Sequence, residues 1–235
     1  MTFSWKRINA IFMKDYKDFS RNLAVSMVIF LPPILAAFIG RMGAASIESY
    51  YMIINMAFGM VASYVQSCLI AEEKEKNTLR GLMLSPATTT EILTGKTLLS
   101  FVLTIVTILL SIVLAGYNPA NIAIIAVAII LSTFFYLGLG TLLGLYAKSV
   151  MEASVLVLPV MIIFSFGTMI IALVEQYPIL KAATYLPNIQ LLEIAAKVEA
   201  GIGFGDIWLH LAIIAAWAVA SFATAVVIYR KRMVD

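Results

Sequence analysis

The chain has 235 residues, 62% of them hydrophobic and only 12% charged, with a mean hydropathy of +0.99. A soluble domain carries about 25% charged residues, so this composition excludes one and points to an integral membrane protein. The net charge of +3 becomes informative only when it is divided between the two sides of the membrane, and the single cysteine, Cys68, excludes an internal disulfide.

The first apolar run starts at Leu23, after a polar and basic lead. Within that lead Ile8, Ile11, Phe12, Phe19 and Leu23 recur near a helical period, and Lys14, Lys17 and Arg21 share another face. The pattern predicts an amphipathic helix over 1–22 at the cytoplasmic interface, with Trp5 as its anchor. The apolar run that follows exceeds a signal-peptide core, so no cleavable leader is expected.

Six runs are long enough to cross a bilayer, which takes about 20 residues. They cover 23–40, 50–71, 97–117, 121–146, 150–174 and 206–229, within one transmembrane domain over 1–235. Pro32-Pro33 is expected to kink the first and Pro159 to bend the fifth. The turns at 118–120 and 147–149 are so short that spans three to five must be sequential antiparallel neighbours. The outer segment 175–205, with Pro178, Pro187 and a Gly-rich end, is too polar to span and too apolar for a free loop. It reads as short re-entrant or interfacial helices.

Thirteen of the 16 basic residues fall on the side of the N-terminus, the 72–96 insert, Lys148 and the tail; only Arg41, Lys181 and Lys197 fall on the other. The positive-inside rule then places both termini and the insert in the cytoplasm of a multi-pass protein of the cell membrane.

No span carries an ionisable group at depth, which argues against an ion-driven carrier or an uncoupled channel. The lone His210, and the lack of HExxH or a Cys/His cluster, exclude a His-based metal site and make catalysis by this chain unexpected. In span two Asn55, Gly59, Ser63 and Gln66 fall on one face at helical spacing. Asn55 and Gln66 are too polar for lipid, so this is the best candidate for lining a path. Ser154, Leu158, Met161, Ser165 and Thr168 share a face of span five. Ser100, Thr104, Thr107 and Ser111 in span three, and Gly140-x-x-x-Gly144 in span four, read as packing surfaces.

The insert reads "AEEKEKNTLRGLMLSPATTTEILTGKT", 71–97. Glu72, Glu73, Lys74 and Lys76 extend span two beyond the membrane. Leu79, Leu82 and Met83 stand at i, i+3, i+4, with Asn77 or Thr78 as cap and Pro86 as terminator: a short amphipathic helix lying off the membrane. Thr88 with Glu91 forms a capping box for a second helix running into span three. Gly95-Lys96-Thr97 has the spelling of a phosphate loop, but Thr90 occupies the first glycine position and helix, not strand, precedes it, so it binds no nucleotide. Lys96 is expected at the headgroup level.

The insert resembles the type 2 permeases of ATP-binding-cassette (ABC) transporters, mostly exporters. Glu73, Thr78, Leu79, Leu82, Pro86, Ile92, Leu93, Gly95 and Lys96 stand at positions of that family's pattern, and Asn77 departs from its usual Gly. "YLPNIQLLEIAAKVEAG", at 185–201, is similar to the family's segment after span five. The resemblance implies an all-α membrane protein with six transmembrane helices, an N-terminal elbow helix, a cytoplasmic coupling helix between spans two and three, and short helices between spans five and six.

It further implies a non-catalytic permease subunit moved by two copies of a separate cytoplasmic ATPase. That partner holds the ATP and Mg; this chain binds no cofactor, and no nucleic acid is expected. Glu72, Glu73, Lys74, Lys76, Thr78, Leu79, Leu82, Met83 and Pro86 would form the docking surface for the ATPase. A second copy of the chain would complete a path lined by spans one, two and five, here by Asn55, Ser63, Gln66, Ser154, Met161, Ser165 and Thr168. The apolar spans and small outer loop favour export of an amphipathic or hydrophobic cargo, with peptide toxins or antibiotics first and lipophilic drugs and lipids also open. The competing reading is a non-transport assembly or anchoring protein whose insert binds another cytoplasmic partner.

Overall fold

The computed structural model describes residues 4–43, 46–78, 81, 85, 87–167 and 177–231. Among these, eight helices carry the fold: α1 (Trp5–Arg21), α2 (Leu23–Met42), α3 (Ile47–Glu75), α4 (Thr89–Ala115), α5 (Ile122–Tyr146), α6 (Val150–Ser165), α7 (Pro187–Glu199) and α8 (Trp208–Lys231). Five of them, α2, α3, α4, α5 and α8, are long and apolar enough to cross a membrane. Of the fifth expected span, 150–174, α6 covers Val150–Ser165, and 168–174 lie outside the described residues.

Local sequence explains where the helices start, stop and deform. In α2 a 3-10 stretch, Met27–Phe30, stands directly before Pro32-Pro33, whose missing N–H groups sit in the first turn of the α-helical part. The expected break in span one is therefore a tightened turn ahead of the prolines. α3 contains an eight-residue π-helical stretch, Phe58–Val65, absent from any reading at a 3.6 period. It ends where Asn77 turns left-handed, with φ 55°. Asn tolerates that region, and the family pattern has Gly at this position. α4 opens on the predicted capping box: the Thr88 hydroxyl accepts from Glu91 N–H and the Glu91 carboxylate accepts from Thr88 N–H.

Apolar burial between helices gains little in lipid, so close packing and interhelical hydrogen bonds must hold the bundle. Glycines make the closest contacts. A Cβ on Gly140 would stand 2.5 Å from the Ser63 carbonyl oxygen, and one on Gly144 2.6 Å from that of Ser67. Gly40 meets the Leu114 carbonyl at 2.7 Å in the same sense, joining the outer ends of α2 and α4. Around these contacts Phe58 stacks on Tyr136, ring centres 4.9 Å apart, and Phe135 and Phe164 close the cluster. Two hydroxyls of α4 bond within their own helix, Thr104 to the Ser100 carbonyl and Ser111 to that of Thr107, on a buried face.

The outer segment holds two 3-10 helices, Pro178–Tyr185 and Phe204–Asp206, flanking α7. Glu199 at the end of α7 accepts from the Tyr117 hydroxyl and from Ala120 N–H, fastening α7 to the α4–α5 turn. At the other end of the bundle Lys74 donates to the Leu145 carbonyl at 2.7 Å and to that of Ala147. A cation thus satisfies the free carbonyls at the α5 C-terminus.

Candidate functional site

An apolar groove of about 350 Å³ opens between α2, α3 and α6. Met52, Met56 and Met60 line one wall, Met161, Ile162 and Ser165 the opposite one, and Leu35 of α2 contributes to it. Beside it α3 and α6 cross at Gly59, where a Cβ would lie 3.4 Å from Met161 Cγ and 3.6 Å from Met161 Cα. Thioether side chains are flexible and polarisable, so four of them make a lining that adapts to differently shaped apolar guests. The methionine stripe at 52, 56 and 60 was readable at i, i+4, i+8, yet the polar residues of span two drew the sequence reading instead.

The expected path residues do not all stand together. Met161 and Ser165 line the groove. Ser63 and Gln66 do not: the Ser63 hydroxyl donates to the Tyr136 carbonyl at 3.1 Å, and Gln66 Nε2 donates to Thr141 Oγ1 at 3.1 Å. Both are fully buried against α5, where they act as interhelical glue. The cause is the π-helical stretch, whose wider turn breaks the face drawn through Asn55, Gly59, Ser63 and Gln66. Gly59 looks to α6, whereas Ser63 and Gln66 look to α5. Asn55 is buried, with neither side-chain polar atom hydrogen-bonded among the described residues. Ser154 donates back to the Val150 carbonyl of its own helix at 2.9 Å, and Thr168 lies outside the described residues.

The 72–96 insert has a second constellation at its base. α1 lies along the start of α4, close enough that a Cβ on Gly95 would stand 2.9 Å from Ile11 Cβ. The glycine of "GKT" therefore serves helix packing. Lys96 does not reach outward to headgroups: it is fully buried, with Nζ 2.6 Å from Glu73 Oε2 and 3.7 Å from Asp15 Oδ2. The α4 backbone at this point is covered by α1, which leaves the side chain no outward route. Lys14 of α1 grips the other oxygen of Glu73 and lies 3.5 Å from Asp18. Burial, reinforced by Glu73, pushes the Asp15 carboxyl up to about 6 against the pull of Lys96 and Lys14. Nearer the N-terminus, Glu91 Oε1 accepts from Arg7 Nη2 at 2.7 Å and from Ser4 N–H at 2.6 Å.

Of the residues expected to dock a partner, Glu73 and Lys74 thus turn into the chain. Glu72 and Lys76 pair with each other on the surface, and Thr78 donates to the Glu73 carbonyl. Leu79, Leu82, Met83 and Pro86 lie outside the described residues. Of the interfacial set, Lys17 and Arg21 are exposed on α1, as is most of Trp5. Sequence reasoning missed Arg7 and Asp15, single charges with no pattern of their own.

Residues 41–227 match the sequence profile of ABC-2 family transporter proteins. The chain belongs to the ABC-2 transporter family. It is a multi-pass membrane permease component, and members of this ABC-2 membrane family are non-catalytic. Membership also implies a separate ATPase partner. No curated protein matches the chain significantly.

Proposed function

We propose that this ABC-2 permease exports an amphipathic or hydrophobic cargo along the methionine-lined groove of α2, α3 and α6, completed by a second copy of the chain. The groove carries the reading: it is wholly apolar in its walls, adaptable, and bordered by the three helices that the family resemblance assigns to the path. The 72–96 segment is the handle by which two copies of a cytoplasmic ATPase drive alternating access. The positive-inside distribution supports a cytoplasmic location for that handle and for both termini. Peptide toxins or antibiotics rank first among cargoes and lipophilic drugs second.

The test is to reconstitute the chain with its ATPase in proteoliposomes and measure hydrolysis and uptake with amphipathic peptides and lipophilic drugs. Stimulated hydrolysis and transport by a member of either class, both lost in Met161→Glu, is the expected result. No stimulation by any of them overturns the cargo class, and unimpaired transport by Met161→Glu overturns the path.

A further inference from the structure

We propose that Lys96 is a positioning residue that clamps the end of α3, the start of α4 and the interfacial helix α1 into one lever at the base of the 76–88 segment. The inference rests on the reading of that segment as the ATPase handle.

The geometry is specific. Glu73 stands in the last turns of α3, Lys96 in the second turn of α4, and Lys14 and Asp15 on α1. One carboxylate, Glu73, is shared by two ammonium groups from two elements, Lys96 at 2.6 Å and Lys14. Asp15 stands 3.7 Å from both ammonium nitrogens. Further along α1, Arg7 holds Glu91 in the first turn of α4. α1 therefore lies as a strap across both limbs that flank the segment, fastened to each by charge.

Stability alone does not explain such a cluster. Taking charges out of water is expensive, and a well-packed apolar replacement is often as stable or more so. What an ion cluster adds is a fixed geometry: removing one member leaves the others buried and uncompensated, so the elements hold one register. A push on the segment then moves both limbs and α1 as a unit. Without the clamp the two limbs splay independently, and ATPase motion reaches the spans weakened.

The full-length chain in nanodiscs, in a Cys68→Ala background, tests this directly. Spin labels at Lys76→Cys and Thr94→Cys report the distance between the limbs, and labels at Asn118→Cys and Gly203→Cys report the outer face. A narrow limb-to-limb distribution is expected, with Lys96→Met and Glu73→Gln each broadening it roughly twofold and the double variant broadening it by less than the two effects combined, since the Lys96–Glu73 pair is lost in all three. The outer pair stays unchanged. A narrow distribution in a folded Lys96→Met or Glu73→Gln chain overturns the clamp. With the ATPase present, Lys96→Met should retain hydrolysis while transport falls about tenfold. Failure of the wild-type chain to associate with any ATPase would sink the reading of that segment as an ATPase handle while leaving the distance result standing.

Discussion

Gly140 of α5 meets Ser63 of α3 so closely that a Cβ would stand 2.5 Å from the Ser63 carbonyl oxygen and 2.9 Å from its Cα. Backbone cannot step aside as a side chain can. Gly140→Ala should therefore force α3 and α5 apart, breaking the Ser63–Tyr136 and Gln66–Thr141 hydrogen bonds that depend on the approach. Overpacking of this kind typically costs about 1–3 kcal/mol. Thermal unfolding in detergent should show a clear drop for Gly140→Ala and none for Gly203→Ala, a site where a Cβ meets nothing within 4 Å. Equal melting temperatures would refute the tight crossing.

The Asp15 carboxyl provides a pH signature. It rises from its ordinary 3.8 to about 6, chiefly through burial, with Glu73 and Asp18 adding to the rise and Lys96 and Lys14 opposing it. A carboxyl raised on folding binds its proton more tightly in the folded state, so its contribution is fully present below about pH 4 and is lost as pH climbs through about 6. The shift of roughly two units corresponds to about 3 kcal/mol between those limits. Comparing wild type with Asp15→Asn across pH 4–7 isolates this group from other carboxylates. The wild-type chain should lose stability relative to the variant as pH rises, and parallel curves would show that Asp15 does not titrate in this window.

Asn77 ends α3 in the left-handed region, with φ 55°. Gly adopts that conformation without penalty, whereas a β-branched side chain incurs about 1–2 kcal/mol there. Asn77→Gly should be neutral to slightly stabilising and Asn77→Val destabilising. Hydrogen exchange at 70–78 should report the difference as faster exchange in Asn77→Val alone. Similar exchange in both variants would mean that the left-handed turn does not terminate the helix.

How much was legible in the sequence follows from which interactions are local. The Thr88–Glu91 cap, the short turn at 118–120 and the Gly140/Gly144 packing face all depend on residues within one turn of each other, and they emerged as predicted. The π-helical stretch did not, because nothing local marks the extra residue; its cost is met by contacts to α5 and α6. The same gap misplaced Ser63 and Gln66. The fate of Lys96 was equally hidden, since its partners Glu73 and Asp15 lie 23 and 81 residues away in sequence. A lone lysine at a span boundary reads as a snorkelling residue until a strap such as α1 is known to cover it.

Gly59 separates the groove's role in transport from its role in folding. A Cβ there would be 3.4 Å from Met161 Cγ, an ordinary contact, so Gly59→Ala should leave both stability and transport nearly intact. Gly59→Leu adds a branched side chain at the crossing of α3 and α6, against Met161, which lines the groove. The larger residue should displace the Met161 side chain, which lines the groove. Transport in proteoliposomes should fall about tenfold while the melting temperature falls less than for Gly140→Ala, because the nearest atom at Gly59 belongs to the flexible Met161 side chain, whereas at Gly140 it is backbone. If Gly59→Leu transports normally at unchanged stability, the cargo does not travel through this groove. If the melting temperature falls in step with transport, the crossing is tighter than the Met161 contacts imply and the defect belongs to packing. Ser165 on the same wall provides the complementary change, since Ser165→Ala removes a hydroxyl without adding volume and should leave an apolar cargo's rate unaltered.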